Sequence, residues 1–179
     1  MSAEPEIRNV LITGAARGLG LLLARRLASE GYNICGTDLR FDLLDREMTL
    51  IRQKYDVQTL AVKSNISNEK QVSALVKNMI AQWGHIDVLI NNAGIRKVAP
   101  INKIDEETWD EIQNSNLKGQ FLCTREVLRQ DMRKRNTGLI IFISSDAAKQ
   151  GSANSSAYAA SKWAGLGLSK SLEKDLKKT

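Results

Sequence analysis

Histidine, cysteine and proline are scarce in this chain: one, two and two among 179 residues. The lone His85, in Trp83-Gly84-His85, leaves little material for a histidine triad or a multi-histidine metal site. It reads as structural, and no metal is expected. Cys35 and Cys123 lie among apolar residues in predicted regular structure, so buried thiols are expected rather than a disulfide. A cytoplasmic location follows from that usage. Pro5 and Pro100 both fall outside the predicted elements. Aromatic residues make up 5% of the chain, too few to interleave with its basic stretches as a nucleic-acid surface would require. The longest apolar run, Leu139 to Ile143, is far too short to cross a bilayer. Glu4, Glu6 and Arg8 precede the first apolar stretch, so no secretory signal is read there.

What is present fits a soluble globular protein. The length corresponds to about one domain, taken here as residues 1–179. The hydrophobic share is 42% and the mean hydropathy is −0.28. The net charge is +6, with basic residues concentrated in Arg125 to Arg135 and Lys170 to Lys178. Glu126, Asp131, Glu173 and Asp175 are interspersed at helical spacing, so solvated helix faces are expected and nucleic-acid binding is not.

Short β-branched runs alternate with longer amphipathic stretches, the pattern of βαβ units around a parallel sheet. Strands are expected at Val10–Thr13, Asn33–Thr37, Thr59–Lys63, Ile86–Ile90 and Leu139–Ser144. Their nearly all-apolar middles imply cover on both faces. Helices are expected at Gly18–Glu30, Leu43–Tyr55, Glu69–Trp83, from about Thr108 to Arg135, and at Ser156–Lys177. Gly31 and Gly84 stand where helices should end. Ser67 is the expected cap of the third helix, and Asp105 with Glu106 and Glu107 suits the start of the fourth.

Thr13-Gly14-Ala15-Ala16-Arg17-Gly18-Leu19-Gly20 follows the first strand and opens the first helix, the setting in which a glycine-rich turn seats a dinucleotide phosphate. Gly14 permits a tight turn, Gly18 lets a pyrophosphate approach the backbone, and Gly20 lets the helix lie close to the sheet. Asp38, after the second strand, stands where an acid accepts from the adenosine ribose hydroxyls. Its charge would repel a 2′-phosphate and favours NAD over NADP. Arg17 and Arg40 cut the other way, because a guanidinium can hold that phosphate. Asn91-Asn92-Ala93-Gly94 follows the fourth strand, at the carboxyl rim where ligands bind in open α/β sheets. Tyr158 and Lys162 stand at i and i+4, on one helix face, and Ser145 lies thirteen residues before the tyrosine. A phenol beside an ammonium and a hydroxyl suits general acid–base chemistry on a carbonyl.

In this order, Thr13-Gly14-x-x-x-Gly18-x-Gly20, Asn91-Asn92-Ala93-Gly94, Asn116, Ser145 and Tyr158-x-x-x-Lys162 resemble the short-chain dehydrogenase/reductase family. The resemblance covers nearly the whole chain. It implies a doubly wound, Rossmann-like parallel sheet of order 3-2-1-4-5. It also implies hydride transfer between a nicotinamide cofactor and a secondary alcohol or ketone. Tyr158 would be the catalytic acid/base, and Lys162 would bind the nicotinamide ribose and favour the ionised phenol. Ser145 would hydrogen-bond the substrate carbonyl, and Asn116 would hold a water of the proton relay. Thr13, Gly14, Arg17, Gly18, Leu19, Gly20, Asp38, Asn65, Ile66, Asn92, Ala93, Gly94, Tyr158 and Lys162 would bind the cofactor. A homodimer through the helices at about 108–135 and 156–177 is also implied.

The chain departs from the family pattern in places. Asn65-Ile66-Ser67 replaces a common Asp-Val-Ser, so an uncharged amide oxygen would meet the adenine amino group. Ser115 stands before Asn116 where an apolar residue is usual. The sequence stops soon after the Tyr-x-x-x-Lys helix, short of the family's sixth strand and substrate lid. Strand 139–143 would then be a sheet edge. Two other readings follow: a dinucleotide-binding regulatory module without turnover, and an interaction protein using its basic helices.

Overall fold

The computed structural model describes residues 8–177. Five strands, β1 (Asn9–Thr13), β2 (Asn33–Asp38), β3 (Thr59–Lys63), β4 (Val88–Asn91) and β5 (Leu139–Phe142), form one sheet of order β3-β2-β1-β4-β5. All pairings are parallel. β1 is buried along its whole length, and successive side chains enter opposite layers. Leu11, level with Cys35 and Leu89, joins one core cluster; Val10 and Ile12 join the other.

Helices cover both faces. α1 (Gly18–Ala28) and α2 (Phe41–Tyr55) supply Ala24, Ala28, Leu44, Met48 and Ile51 to the Val10–Ile12 layer. α3 (Glu69–Trp83) and a long α4 supply Val72, Leu75, Met79, Leu122, Cys123 and Val127 to the Leu11 layer. α4 spans 106–135 in five continuous pieces: Glu106–Gln113, Asn114–Lys118, Gly119–Val127, Leu128–Met132 and Arg133–Arg135. A short α5 (Ala147–Gln150) precedes α6 (Ser156–Leu176). α6 packs against the first two pieces of α4, α5 and β5.

Several expected boundaries move, each for a local reason. α1 stops at Ala28 rather than Glu30, because Gly31 turns to φ +86° and Tyr32 N–H reaches back to the Leu27 carbonyl. The cap of α3 is Asn68, not Ser67. Asn68 Oδ1 accepts from Gln71 N–H at 3.1 Å, while the Ser67 hydroxyl donates to the Asn114 carbonyl. α4 starts at Glu106, two residues early, because Asp105 caps Thr108 N–H at 2.8 Å. β4 begins at Val88 rather than Ile86, whose N–H is taken by the buried Asp131 carboxylate. β5 ends at Phe142 rather than Ser144, since the Ile143 carbonyl accepts instead from Lys162. Two segments of α4, Asn114–Lys118 and Leu128–Met132, are π-helical. Each carries one extra residue in its turn and re-aims the side chains around it.

Both cysteines are free and buried. Burial pushes the Cys123 thiol up to about 12 and the Cys35 thiol higher still. The basic stretch of α4 is laced into ion pairs, Arg125 with Glu69, Arg129 with Glu126, and Arg135 with Asp131. Lys177 pairs with Glu173, while Lys178 lies outside the described residues. Among the described residues no helix is long and apolar enough to cross a membrane.

Glu126 is buried on α4 and accepts from Arg129 at 2.7 Å and Gln130 at 2.8 Å. Burial alone would raise its carboxyl, but these donors outweigh it and hold it below the usual glutamate range. A depressed carboxyl stabilises the fold above its unfolded value, and that stability is lost as pH falls through the folded value. Glu126→Gln is expected to be less stable than the parent at neutral pH. The gap should close in acid, as read by urea unfolding at a series of pH values.

Candidate active site

The strand order reverses between β1 and β4, and a crevice opens outside their carboxyl ends at such a switch point. Two turns meet there. Gly14 has φ +68° and hydrogen-bonds the Thr37 carbonyl at 2.8 Å. Gly18 has φ +56° with nothing within 4 Å of where a side chain would start, so its backbone faces open space. At Gly20 a Cβ would lie 2.2 Å from the Gly14 carbonyl oxygen and 2.6 Å from Asn92 Nδ2. The absence of a side chain at Gly20 therefore lets α1 close on the turn and on Asn92, more than on the sheet as such.

Asn92 Nδ2 donates to the carbonyls of Thr13 at 2.9 Å and Gly14 at 3.1 Å. In return, Thr13 Oγ1 accepts from Asn92 N–H and Ala93 N–H, both at 3.0 Å. Thr13 is fully buried. Its hydroxyl fastens the two turns together.

The crevice measures about 800 Å³ and runs from the first turn past Asp38, Asn65 and Ile66 to Gly94 and Arg96. Arg17, Gly18, Leu19, Arg40, Asn92 and Ala93 also line it. No side chain caps the start of α1, so its first N–H groups stand ready for an anion. This fits the pyrophosphate of a dinucleotide. Asp38 Oδ2 accepts from Ala16 N–H at 3.2 Å and Oδ1 from Arg40 N–H at 3.0 Å, which fixes a negative charge at the end of β2. Neither the Arg17 nor the Arg40 side chain pairs with it. Asn65 Oδ1 accepts from Ser67 N–H, so it keeps only part of its capacity for a ligand. Ser115 is half-buried on the same wall.

The second half of the site adjoins Gly94. A Cβ there would sit 3.1 Å from Asn116 Oδ1 and 3.6 Å from Lys162 Nζ. Asn116 lies in the first π-helical segment of α4, fully buried. Its amide donates to the Ile95 carbonyl at 2.9 Å and to Ser161 Oγ at 3.0 Å, and its oxygen accepts from Ile95 N–H at 2.7 Å. Those bonds occupy both amide hydrogens, so its side chain ties β4's loop to α6. Lys162 is buried; its ammonium donates to the Ile143 carbonyl at 2.9 Å and stands 5.8 Å from the centre of the Tyr158 ring. Burial pushes that ammonium below its ordinary range. Ser145 follows Ile143 by two residues, and its Oγ accepts from Ala147 N–H at 3.2 Å. That contact leaves the hydroxyl hydrogen available to a ligand.

Two contributors escaped the reading of the sequence. Ser161, the residue before Lys162, is the buried partner of Asn116. Arg96 lines the crevice and lies 5.6 Å from the Tyr158 ring centre. Its position two residues past Gly94, in a loop at the strand rim, was the available signal.

Known proteins share this fold. A family model described as short chain dehydrogenase matches residues 8–179. The chain belongs to the short-chain dehydrogenase family. Among curated relatives, the 3-oxoacyl-[acyl-carrier-protein] reductase FabG of Staphylococcus aureus is 35% identical over 173 residues, covering 94% of this chain and 68% of the relative. Among solved structures, an alcohol dehydrogenase of Thermococcus sibiricus complexed with 5-hydroxy-NADP superposes with a TM-score of 0.92 at 25% identity. It covers 96% of this chain and 72% of the neighbour. An NAD+-bound xylitol dehydrogenase gives 0.91 at 30% identity, covering 96% and 65%. Membership in the short-chain dehydrogenase family makes this chain an oxidoreductase relative with the Rossmann-like sheet described above.

In the short-chain dehydrogenase frame, Gly20 is the tightest point of the site. Gly20→Ala is expected to cost about 3 kcal/mol and to weaken NADH and NADPH binding together. Urea unfolding and fluorescence titration check this; an alanine variant that keeps both properties contradicts it.

Proposed function

We propose that the protein is a nicotinamide-dependent oxidoreductase acting on a secondary alcohol or ketone. The observation carrying this reading is Lys162: a buried ammonium with no carboxylate partner among the described residues, held near the Tyr158 ring and against Gly94, which lines the crevice. A buried cation is costly unless a partner or ligand compensates it. A neighbouring phenolate and a nucleotide ribose are suitable compensators.

The bound coenzyme supplies the hydride acceptor or donor. Tyr158 exchanges the proton of the substrate oxygen, as phenolate for alcohol oxidation and as phenol for carbonyl reduction. Lys162, 5.8 Å from the Tyr158 ring centre, places a positive charge near the phenol and would hold the ribose. Ser145, fixed by Ala147 N–H, donates its hydrogen to the substrate oxygen and stabilises charge there. Asn116 is assigned a positioning role: it locks Ile95 and Ser161, and so the wall facing Lys162. We read residues 8–177 as one coenzyme-binding domain working in the cytoplasm, consistent with two unpaired, buried thiols.

The choice of coenzyme is balanced. Asp38 disfavours a 2′-phosphate, whereas Arg17 and Arg40 line the same crevice unpaired to it. The structural neighbours include one named with NAD+, one with 5-hydroxy-NADP and one with NADP. The NAD preference, which gave Asp38 more weight than Arg17 and Arg40, is therefore not retained, and use of both coenzymes is proposed.

The test is titration of the purified chain with NADH and NADPH, then a panel of ketones and secondary alcohols. Tyr158→Phe is expected to bind coenzyme as the parent does while turnover falls at least a hundredfold. Saturable coenzyme binding with no turnover of any carbonyl would instead favour the regulatory-module reading.

α4 and α6 expose Trp109, Phe121 and Trp163. We propose that they form a homodimer interface. Light scattering at micromolar concentration should give the dimer mass, and Trp163→Glu should shift it to the monomer.

A further inference from the structure

We propose that Arg96 is a substrate-recognition residue and that the physiological substrate carries a carboxylate close to its reacting carbonyl or carbinol carbon. This rests on the oxidoreductase reading above and specifies the substrate class of the same site.

Four observations carry it. First, Arg96 stands where the crevice meets the phenol, lining the cavity with its guanidinium carbon 5.6 Å from the Tyr158 ring centre. Second, Arg96 is exposed, yet its guanidinium has an anchor. It donates to Ser155 Oγ at 3.2 Å, Ser155 is itself buried, and the loop carrying Arg96 is pinned by Ala99 N–H to the Asn154 carbonyl at 2.8 Å. Third, no carboxylate among the described residues pairs with it. Glu111, on the same cavity wall, is already bonded to Lys97, and Asp38 lies with the first turn and accepts two backbone N–H groups. Fourth, Lys162 lies 5.8 Å from the same ring centre, so two cations lie near one phenol ring, and no acid among the described residues pairs with either.

Arginine has five N–H donors in a planar fork, and only one is engaged by the protein. A planar carboxylate matches that fork, and a charge-assisted pair is stronger than a neutral one. A ligand whose carbonyl oxygen meets Tyr158 and Ser145 would bring a carboxylate one or two bonds away within reach of Arg96. Small oxo acids and the corresponding hydroxy acids have that geometry.

The experiment uses the full chain and two probes, acetoacetate and its uncharged methyl ester. The ratio of kcat/KM for acid over ester is measured in the parent, in Arg96→Gln and in Arg96→Lys. The parent should favour the acid, Arg96→Gln should lower the ratio about tenfold, and Arg96→Lys should restore part of it. An unchanged ratio in Arg96→Gln overturns the proposal. So does a tenfold loss of NADH or NADPH affinity with no change in the ratio, which would make Arg96 a coenzyme contact. If the parent turns over neither probe, the test moves to saturation-transfer NMR on the coenzyme-loaded chain, which reads binding without turnover. An acetoacetate signal present in the parent and lost in Arg96→Gln supports the assignment. Equal signals, or no signal in either, overturn it. Failure of turnover therefore counts against the reaction, and failure of charge selectivity counts against Arg96 alone.

Discussion

Asn92 and Thr13 each reach across the gap between two strand ends and bond the other's backbone. Asn92 holds the Thr13 and Gly14 carbonyls; Thr13 holds the Asn92 and Ala93 N–H groups. β1 and β4 sit side by side, but the chain leaves them in opposite directions to build opposite wings of the sheet. Without this reciprocal fastening the turns that follow them would have no common position. Gly20 completes the junction, since only a residue without a side chain lets α1 approach the Gly14 carbonyl and the Asn92 amide. The start of α1, the floor of the crevice and the position of Gly94 all inherit their placement from this one contact. Thr13 is fully buried and Asn92 half-buried at the crevice floor, so the Thr13 end of the fastening is shielded from water.

A second polar junction extends the first. Asn116 joins the loop after β4 to Ser161 on α6, and Lys162, the next residue, reaches the Ile143 carbonyl beyond β5. Four segments distant in sequence thus meet within a few ångströms of Gly94. The π-helical segment of α4 is what allows it. A helix of regular pitch would carry residue 116 past the loop or leave its neighbours unbonded, whereas one additional residue in the turn re-aims the amide. The wider turn is compensated by Ser67, whose hydroxyl bonds the Asn114 carbonyl at its start.

The five strands were legible because each is a short apolar run bounded by polar turns, and the glycine-rich turn announced the first crossover; their order was implied by the family resemblance. The residues around Tyr158 and Lys162 were legible as a helical pair with a shared face. Less legible was what each polar residue does with its hydrogen bonds. Thr13 read as a cofactor contact and Asn116 as the holder of a relay water, and the sequence did not show that their side chains also bond the protein. Nothing local in Asn114-Ser115-Asn116 marks a π turn, because that geometry is imposed by partners at Ile95 and Ser161. The cap of α3 went to Asn68 instead of Ser67 for a similar reason: a partner forty-seven residues away claims the serine hydroxyl. Arg96 lacked any periodicity to single it out, and only the folded loop brings it to the phenol.

The two thiols occupy a telling location. Cys35 on β2 and Cys123 on α4 both belong to the layer between the sheet and α3 with α4, and none lies in the opposite layer. Each is sealed from solvent and resists ionisation at neutral pH, so an alkylating reagent can act only when that layer parts. The wild-type chain therefore carries its own breathing gauge for one side of the sheet. Its labelling rate tracks separation of α3 and α4 from the strands and is blind to loosening of α1 and α2.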